Sequence, residues 1–278
     1  MKITLNILLF FVLFQSYAQS TVIPDPNFEQ ALIDLGLDTG VPDGSVPTIN
    51  ISAVTDLIVT NKNIDDLTGI EDFTNLQSLY CNANHLTSIN VTQNTSLTYL
   101  GCGINDLTSL DVTQNTSLQT LSCEYNEIND IDLSQNINLQ TFTCGHNKLT
   151  SLDVSLNSLL SSLLCNDNLL MCLNLKNSNI TNMYLKATNN PDLFCVEVYD
   201  VTLANANWTS ANLSVDSIVY FSQYCGNSCT TSILELNDFK KELIRIVDLT
   251  GRLIDDKPNT LLIYIYSDGT TEKMFRVE

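Results

Sequence analysis

From about residue 54 to residue 176 the apolar positions recur in one fixed order, Leu-x-x-Leu-x-Cys-x-x-Asn-x-Leu, as in Leu76, Leu79, Cys81, Asn84 and Leu86. Leu76, Leu97, Leu118, Leu139 and Leu160 are each 21 residues apart, and so are Cys81, Cys102, Cys123, Cys144 and Cys165. Asn84, Asn105, Asn126, Asn147 and Asn168 keep the same interval. The alternation within Leu-x-Cys has the period of a strand, not of a helix. A second apolar-polar-apolar triplet follows in each unit: Ile89-Asn90-Val91, Leu110-Asp111-Val112, Ile131-Asp132-Leu133 and Leu152-Asp153-Val154. It predicts a second short strand. Only about ten residues remain per unit after the signature, too few for a helix of average length and two turns.

A fixed period of this kind means stacked coils. Each unit lays a short strand beside the next at about 4.8 Å, so inward Leu and Cys side chains meet their equivalents and no unit buries its face alone. The Asn column offers amide donors and acceptors to backbone groups that a tight bend would leave unpaired inside the coil. On these columns the chain resembles the leucine-rich repeat, with Cys at the third apolar position. The resemblance implies a right-handed, mostly β solenoid of about six coils, with short parallel strands and little convex helix.

The flanks carry different patterns. Asp25-Pro26 followed by Phe28, Ala31, Leu32 and Leu35 has the start signals and spacing of an amphipathic helix, read as a cap over the open N-terminal end. An irregular first coil begins near Val54, with Lys62 where Asn is expected. Beyond Asn177 the period decays; Ile180, Met183 and Leu185 suggest a last degraded coil, and Leu193 to Val198 a terminal strand. The sole Trp, Trp208, falls in the polar segment that follows. At the N-terminus, Lys2, the apolar run Ile7 to Phe14 and the small-x-small Ser16-Tyr17-Ala18 make a secretory signal peptide. That run is about half of the roughly 20 apolar residues a membrane span needs.

The last stretch alternates again as Leu243 to Val247, Leu261 to Tyr266 and Glu272 to Val277, with Asp268-Gly269 as a hairpin turn. With Asp248-Leu249-Thr250-Gly251-Arg252 and Pro258-Asn259-Thr260 it is similar to the C-terminal sorting domain of type IX secretion substrates, although the Tyr-Pro-Asn-Pro opening of that family is absent. The resemblance implies export across the outer membrane by the type IX machinery. The expected organisation is a signal peptide (1–18), a helical cap (19–53), leucine-rich repeats (54–176), a degenerate repeat and C-terminal cap (177–229), and a small β domain (230–278).

Charge narrows the choice of partner. The formal net charge is −19, and residues 3–239 contain four lysines (62, 148, 176, 186) and no arginine. Nucleic acid is excluded, because binding it needs clustered Lys and Arg to displace counterions.

The candidate chemistry is sparse. Five Cys in one inward column read as packed thiols, since parallel side chains in one register give poor disulfide geometry. Cys172, Cys195, Cys225 and Cys229 break the period; in an exported protein Cys195 with Cys225 is the first candidate disulfide, with Cys229 as competing partner. Asp111, Asp132 and Asp153 form one column, where like charges at about 5 Å need either water or a bridging calcium ion. His85 and His146 accompany no catalytic motif and read as turn residues. Asn94-Thr95-Ser96 and its equivalents match the glycosylation pattern but arise within the repeat.

For binding, outward positions of the main strand lie side by side on one concave sheet. Tyr80, Tyr99, Glu124, Tyr125 and His146 are the large groups among otherwise small or polar neighbours. The expected function is therefore non-catalytic recognition of a protein or glycan, at the cell surface or outside it, with no cofactor unless calcium. The alternatives are a structural surface-layer or matrix component without a specific ligand and, third, a hydrolase.

Overall fold

A computed structural model describes residues 19–177 and 183–225, and the backbone of three further strands, 243–247, 261–266 and 271–275. The signal-peptide residues 1–18, Ile180, Cys229, Asp248 to Arg252, Pro258 to Thr260 and the Asp268-Gly269 turn lie outside the described residues. The chain divides into two compact units, 1–231 and 232–278.

In the first unit the Leu-x-x-Leu-x-Cys segments form a seven-stranded parallel sheet. Its strands are Asp56–Ile58, Ser78–Tyr80, Tyr99–Gly101, Thr120–Ser122, Thr141–Thr143, Ser162–Leu164 and Tyr184–Lys186. Each strand has three residues, and the middle one points inward: Leu57, Leu79, Leu100, Leu121, Phe142, Leu163 and Leu185 are all buried. Register is uniform, with Ser78 opposite Tyr99 and Tyr99 opposite Thr120, so each 21-residue column becomes a row of lateral neighbours. The fold is a leucine-rich repeat solenoid.

The Asn column knits coils together. Asn126, buried, donates through Nδ2 to the carbonyls of Cys123 at 3.0 Å and of Cys102, one coil earlier, at 3.1 Å, and accepts from Leu107 N at 2.9 Å. The ladder runs one step further than the sequence pattern suggests. Ala187 takes the Cys position and Asn190 the Asn position of a seventh row, with Asn190 donating to Cys165 O and Ala187 O and accepting from Leu170 N. Asn189-Asn190-Pro191 is thus the turn of a working coil. The signal was Met183-x-Leu185-x-Ala187-x-x-Asn190, the repeat signature with Ala for Cys.

A second Asn ladder was missed altogether. Asn94, Asn115, Asn136 and Asn157 are completely or almost completely buried. Asn115 donates to Val91 O and Asn94 O, and Asn136 to Val112 O and Asn115 O, at 2.9–3.0 Å. Burial closes these positions to glycosylation. Their Oδ1 atoms are enclosed without a hydrogen-bond partner.

The second strand predicted for every coil forms only late in the stack. Ser151–Asp153, Cys172–Asn174, Cys195–Glu197 and Tyr220–Ser222 make a four-stranded parallel sheet, whereas the triplets at 89–91, 110–112 and 131–133 are unpaired in backbone terms. There neighbouring coils are linked by the Asn amides.

Both ends are closed by dedicated chemistry. At the N-terminus a short antiparallel pair, Ser20–Val22 with Ser45–Pro47, flanks the helix Pro26–Asp34. Asp25 caps that helix by accepting from Asn27 N and Phe28 N through Oδ1, while its Oδ2 accepts from Asp65 N and Asp66 N of the first coil. Glu29, buried, accepts from Asp43 N and Gly44 N and so holds the loop back to the sheet pair. At the other end a helix, Val201–Asn207, not anticipated from sequence, is capped by Asp200. Trp208 then leaves the polar segment in which it sits and covers the stack. It is buried, donates through Nε1 to Met183 O at 3.1 Å, and sets its ring 5.9 Å from Phe221.

The second unit contains a three-stranded antiparallel sheet with 261–266 in the centre, between 243–247 and 271–275.

Candidate binding face

Outward from the main sheet stand three positions per coil, then a fourth at the turn. The residue after each Cys reads Asn82, Gly103, Glu124, Gly145, Asn166, an alternation of large and absent side chains. The glycines are filled from next door. A Cβ at Gly103 would lie 2.9 Å from the Glu124 carboxyl, and one at Gly145 3.2 Å from Asn166 Oδ1. Glu124 therefore lies flat, toward the preceding coil.

Its carboxylate is fixed there. Oε2 accepts from Ser122 Oγ at 2.6 Å and from Thr143 Oγ1 at 2.9 Å. None of the ion pairs among the described residues involves Glu124.

Gly101 supplies a second bare position. Tyr80 is opposite it across the sheet and Tyr99 stands two residues before it, and the two rings stack over it with centroids 4.4 Å apart. A Cβ on Gly101 would come 3.1 Å from Tyr99 Cε1 and Oη. Tyr99 thus runs along its strand toward Gly103, where the Glu124 carboxylate lies. Partial burial, with Tyr80 and Glu124 close by, pushes the Tyr99 phenol above its ordinary pKa.

The turn position shows a different kind of order. Ala83, Ile104, Tyr125, His146 and Asp167 all have φ of 55–56°, and Asn189 follows with 60°. Side chains with a Cβ rarely adopt this left-handed backbone, and a β-branched Ile least of all. Their side chains join into a row. Tyr125 stacks on His146 at 4.1 Å with the rings 11° from coplanar, and His146 Nε2 lies 3.4 Å from Asp167 Oδ2. Asp167 also accepts from Asn166 at 2.5 Å and from Asn189 at 2.8 Å. Burial acts to raise the Asp167 pKa, but those two hydrogen bonds and the charges of His146 and Lys186 outweigh it and hold the carboxyl below its usual range.

All five residues singled out from the sequence therefore stand on the outer face. They form two groups: Tyr80, Tyr99 and Glu124 over the glycines, and Tyr125 with His146 on the turn. Sequence reading missed Asp167 and the role of the glycines, whose signal was the alternation of the column.

The remaining candidates lie elsewhere. Cys195 and Cys225 are joined in a disulfide with Cα atoms 5.8 Å apart, and Cys172 is disulfide-bonded too. The five ladder Cys are free and buried. Burial pushes the thiols of Cys81 and Cys165 up to about 12, and that of Cys123 higher still. In the Asp column each carboxylate serves its own turn: Asp111 accepts from Thr113 N, Asp132 from Ser134 N and Asp153 from Ser155 N, at 2.8–2.9 Å. The Thr113 hydroxyl and amide lower the Asp111 pKa. Asp111 and Asp132 line a shallow hollow with Asp130, but among the described residues no group of three or more His, Cys, Asp or Glu comes together to hold a metal ion. One oxygen of each columnar carboxylate is thus taken up by a backbone donor of its own turn.

No family model matches the chain, and no curated protein matches it. Solved structures do. The functional domain of InlJ from Listeria monocytogenes, described as including a cysteine ladder, is 27% identical over 69% of this chain and 56% of its own length, with a TM-score of 0.41. Internalin C2 from the same organism is 20% identical over 75% of this chain and all of its own, with a TM-score of 0.48. The leucine-rich repeat domain of APL1B is 22% identical over 54% of this chain and 58% of its own, with a TM-score of 0.44. The chain thus spans little more than half the length of the InlJ domain that it matches.

Proposed function

We propose that this protein is a non-catalytic recognition module that binds a protein or glycan through the outer face of its main sheet. One observation carries the reading. On a solvent-facing sheet, the bulky side chains Tyr80, Tyr99 and Glu124 are laid over Gly101 and Gly103 and held by hydrogen bonds and stacking, so the surface is formed before any ligand arrives. Preorganisation of this kind reduces the entropy lost on binding.

The place of action is the cell surface or the space outside the cell. In support stand the N-terminal apolar run with its cleavage pattern, the Cys195–Cys225 disulfide, which suits an oxidising compartment, and the antiparallel strands of the second unit, which fit a β sorting domain read by type IX machinery. Among the described residues no helix is long and apolar enough to cross a membrane.

The test is a glycan array and a pull-down with the full chain, each repeated with the Tyr99→Ala, Glu124→Ala double variant. Saturable binding lost in the variant supports the reading. Binding that survives the double substitution, or absence of binding in both assays, overturns it, the latter in favour of a structural surface component.

A further inference from the structure

The chemistry above Gly101 and Gly103 is more specific than an adaptable polar face. Three kinds of group converge there. One is an aromatic surface, the Tyr80–Tyr99 stack, whose ring faces carry the negative lobe of the π quadrupole. The second is the Glu124 carboxylate, pinned through Oε2 by two hydroxyls, with no hydrogen bond to Oε1 among the described residues. The third is the absence of side chains at the two glycines, which lets Tyr99 and the Glu124 carboxylate lie down against the strands and fixes where ring and charge are presented.

On the turn beside it, Tyr125 and His146 offer a second stacked pair, at a backbone angle that L-residues avoid. Strained positions persist where something outside local stability retains them. Ile104 and Tyr125 spend that strain on side chains more than half exposed, 55% and 52%.

Between Lys62 and Lys148, the stretch that carries Tyr80, Tyr99 and Glu124, there is no lysine or arginine, and Lys186 lies on the last strand of the sheet beside Asp167. The repeat body from residue 3 to residue 239 has four lysines and no arginine, in a chain of net charge −19. Of those lysines, Lys62, Lys148 and Lys176 are paired with Asp34, Glu127 and Glu197.

We infer that the Tyr80–Tyr99–Glu124 trough receives the guanidinium of an arginine on a basic segment of a partner protein. A planar guanidinium satisfies both halves of the site: it stacks on a tyrosine ring and donates to the free carboxylate oxygen of Glu124. A sugar would use the rings and the carboxylate but would gain nothing from the charge. This inference rests on the sheet face being the binding face, and narrows its partner to a cationic protein segment.

The probe is a fluorescein-labelled Gly-Ser peptide carrying three arginines, titrated into the full chain by anisotropy, against the same peptide with citrulline at each arginine. Citrulline keeps the planar shape and removes the charge. The arginine peptide is expected to bind about tenfold or more tighter, and the difference to shrink with added salt. Glu124→Gln and, separately, Tyr99→Leu should each weaken the arginine peptide at least about fivefold. Asp106→Asn, an exposed charge change away from the trough, should leave it within about twofold.

Equal binding of the two peptides overturns the inference, as does a Glu124→Gln effect no larger than that of Asp106→Asn. If neither peptide binds while the array or pull-down yields a ligand lost on Tyr99→Ala, Glu124→Ala, the cationic partner is wrong and the sheet-face reading stands. If binding of every kind ignores the trough variants, both fall.

Discussion

Replacing Asn126 by Ala tests how the solenoid is held. Alanine removes two donors and one acceptor from a site closed to water. The two carbonyls do not lose everything: Cys102 O still accepts from Asn105 and Cys123 O from Asn147, so each keeps one amide partner. Leu107 N, whose partner is Asn126 Oδ1 at 2.9 Å, is left with none. One orphaned buried N–H costs about 1–3 kcal/mol and two shared bonds about 0.5–1 kcal/mol each, so the loss should be about 3 kcal/mol. Asn136→Ala in the second ladder has a different balance. Val112 O and Asn115 O keep the backbone donors Asn115 N and Leu118 N, no N–H is orphaned, and an unsatisfied Oδ1 disappears. That loss should be about 1 kcal/mol. Urea unfolding followed by circular dichroism measures both, provided the slope with denaturant is unchanged. An Asn136→Ala variant as unstable as Asn126→Ala, or an Asn126→Ala cost below about 1 kcal/mol, would refute the reasoning.

Other consequences are equally direct. The five ladder thiols should resist thiol reagents in the folded protein at pH 8 and react together once it is denatured. Because their folded pKa values are raised, stability is retained below the ordinary thiol range and falls as pH rises above about 9, by up to about 1.4 kcal/mol per thiol per pH unit; a melting temperature flat from pH 8 to pH 11 would contradict this. Ile104→Asn, at φ 55° and largely exposed, should stabilise the fold by about 1 kcal/mol, and a loss of similar size in the same urea experiment would show that the backbone is not strained there. Gly103→Ala should cost about 1–3 kcal/mol, because its Cβ would meet both the Glu124 carboxyl and, at 3.0 Å, the Glu124 carbonyl oxygen; a neutral outcome would mean that Glu124 is free to lift away.

Much of this molecule is legible without coordinates because a 21-residue interval carries each position onto its equivalent. The parallel sheet, the buried Leu and Cys columns and the first Asn ladder all follow from it. The second Asn ladder had the same interval and went unread: Asn94, Asn115, Asn136 and Asn157 sit among Thr, Ser and Gln, a composition that looks like a solvated loop. The predicted second strand failed in the early coils for a related reason. Alternation reports which way side chains point, but not where the backbone groups find their partners, and in the early coils Asn amides reach carbonyls of the coil before.

What the sequence by itself determined is the repeat, and with it which side chains point inward, since burial of a coil face depends only on the period. What only the tertiary structure decided is the character of the outer face. Residues 21 apart touch or miss according to register and to the lean of each side chain, so the settling of Glu124 over Gly103, the Tyr80–Tyr99 stack above Gly101 and the row from Tyr125 to Asn189 exist only once the coils are stacked.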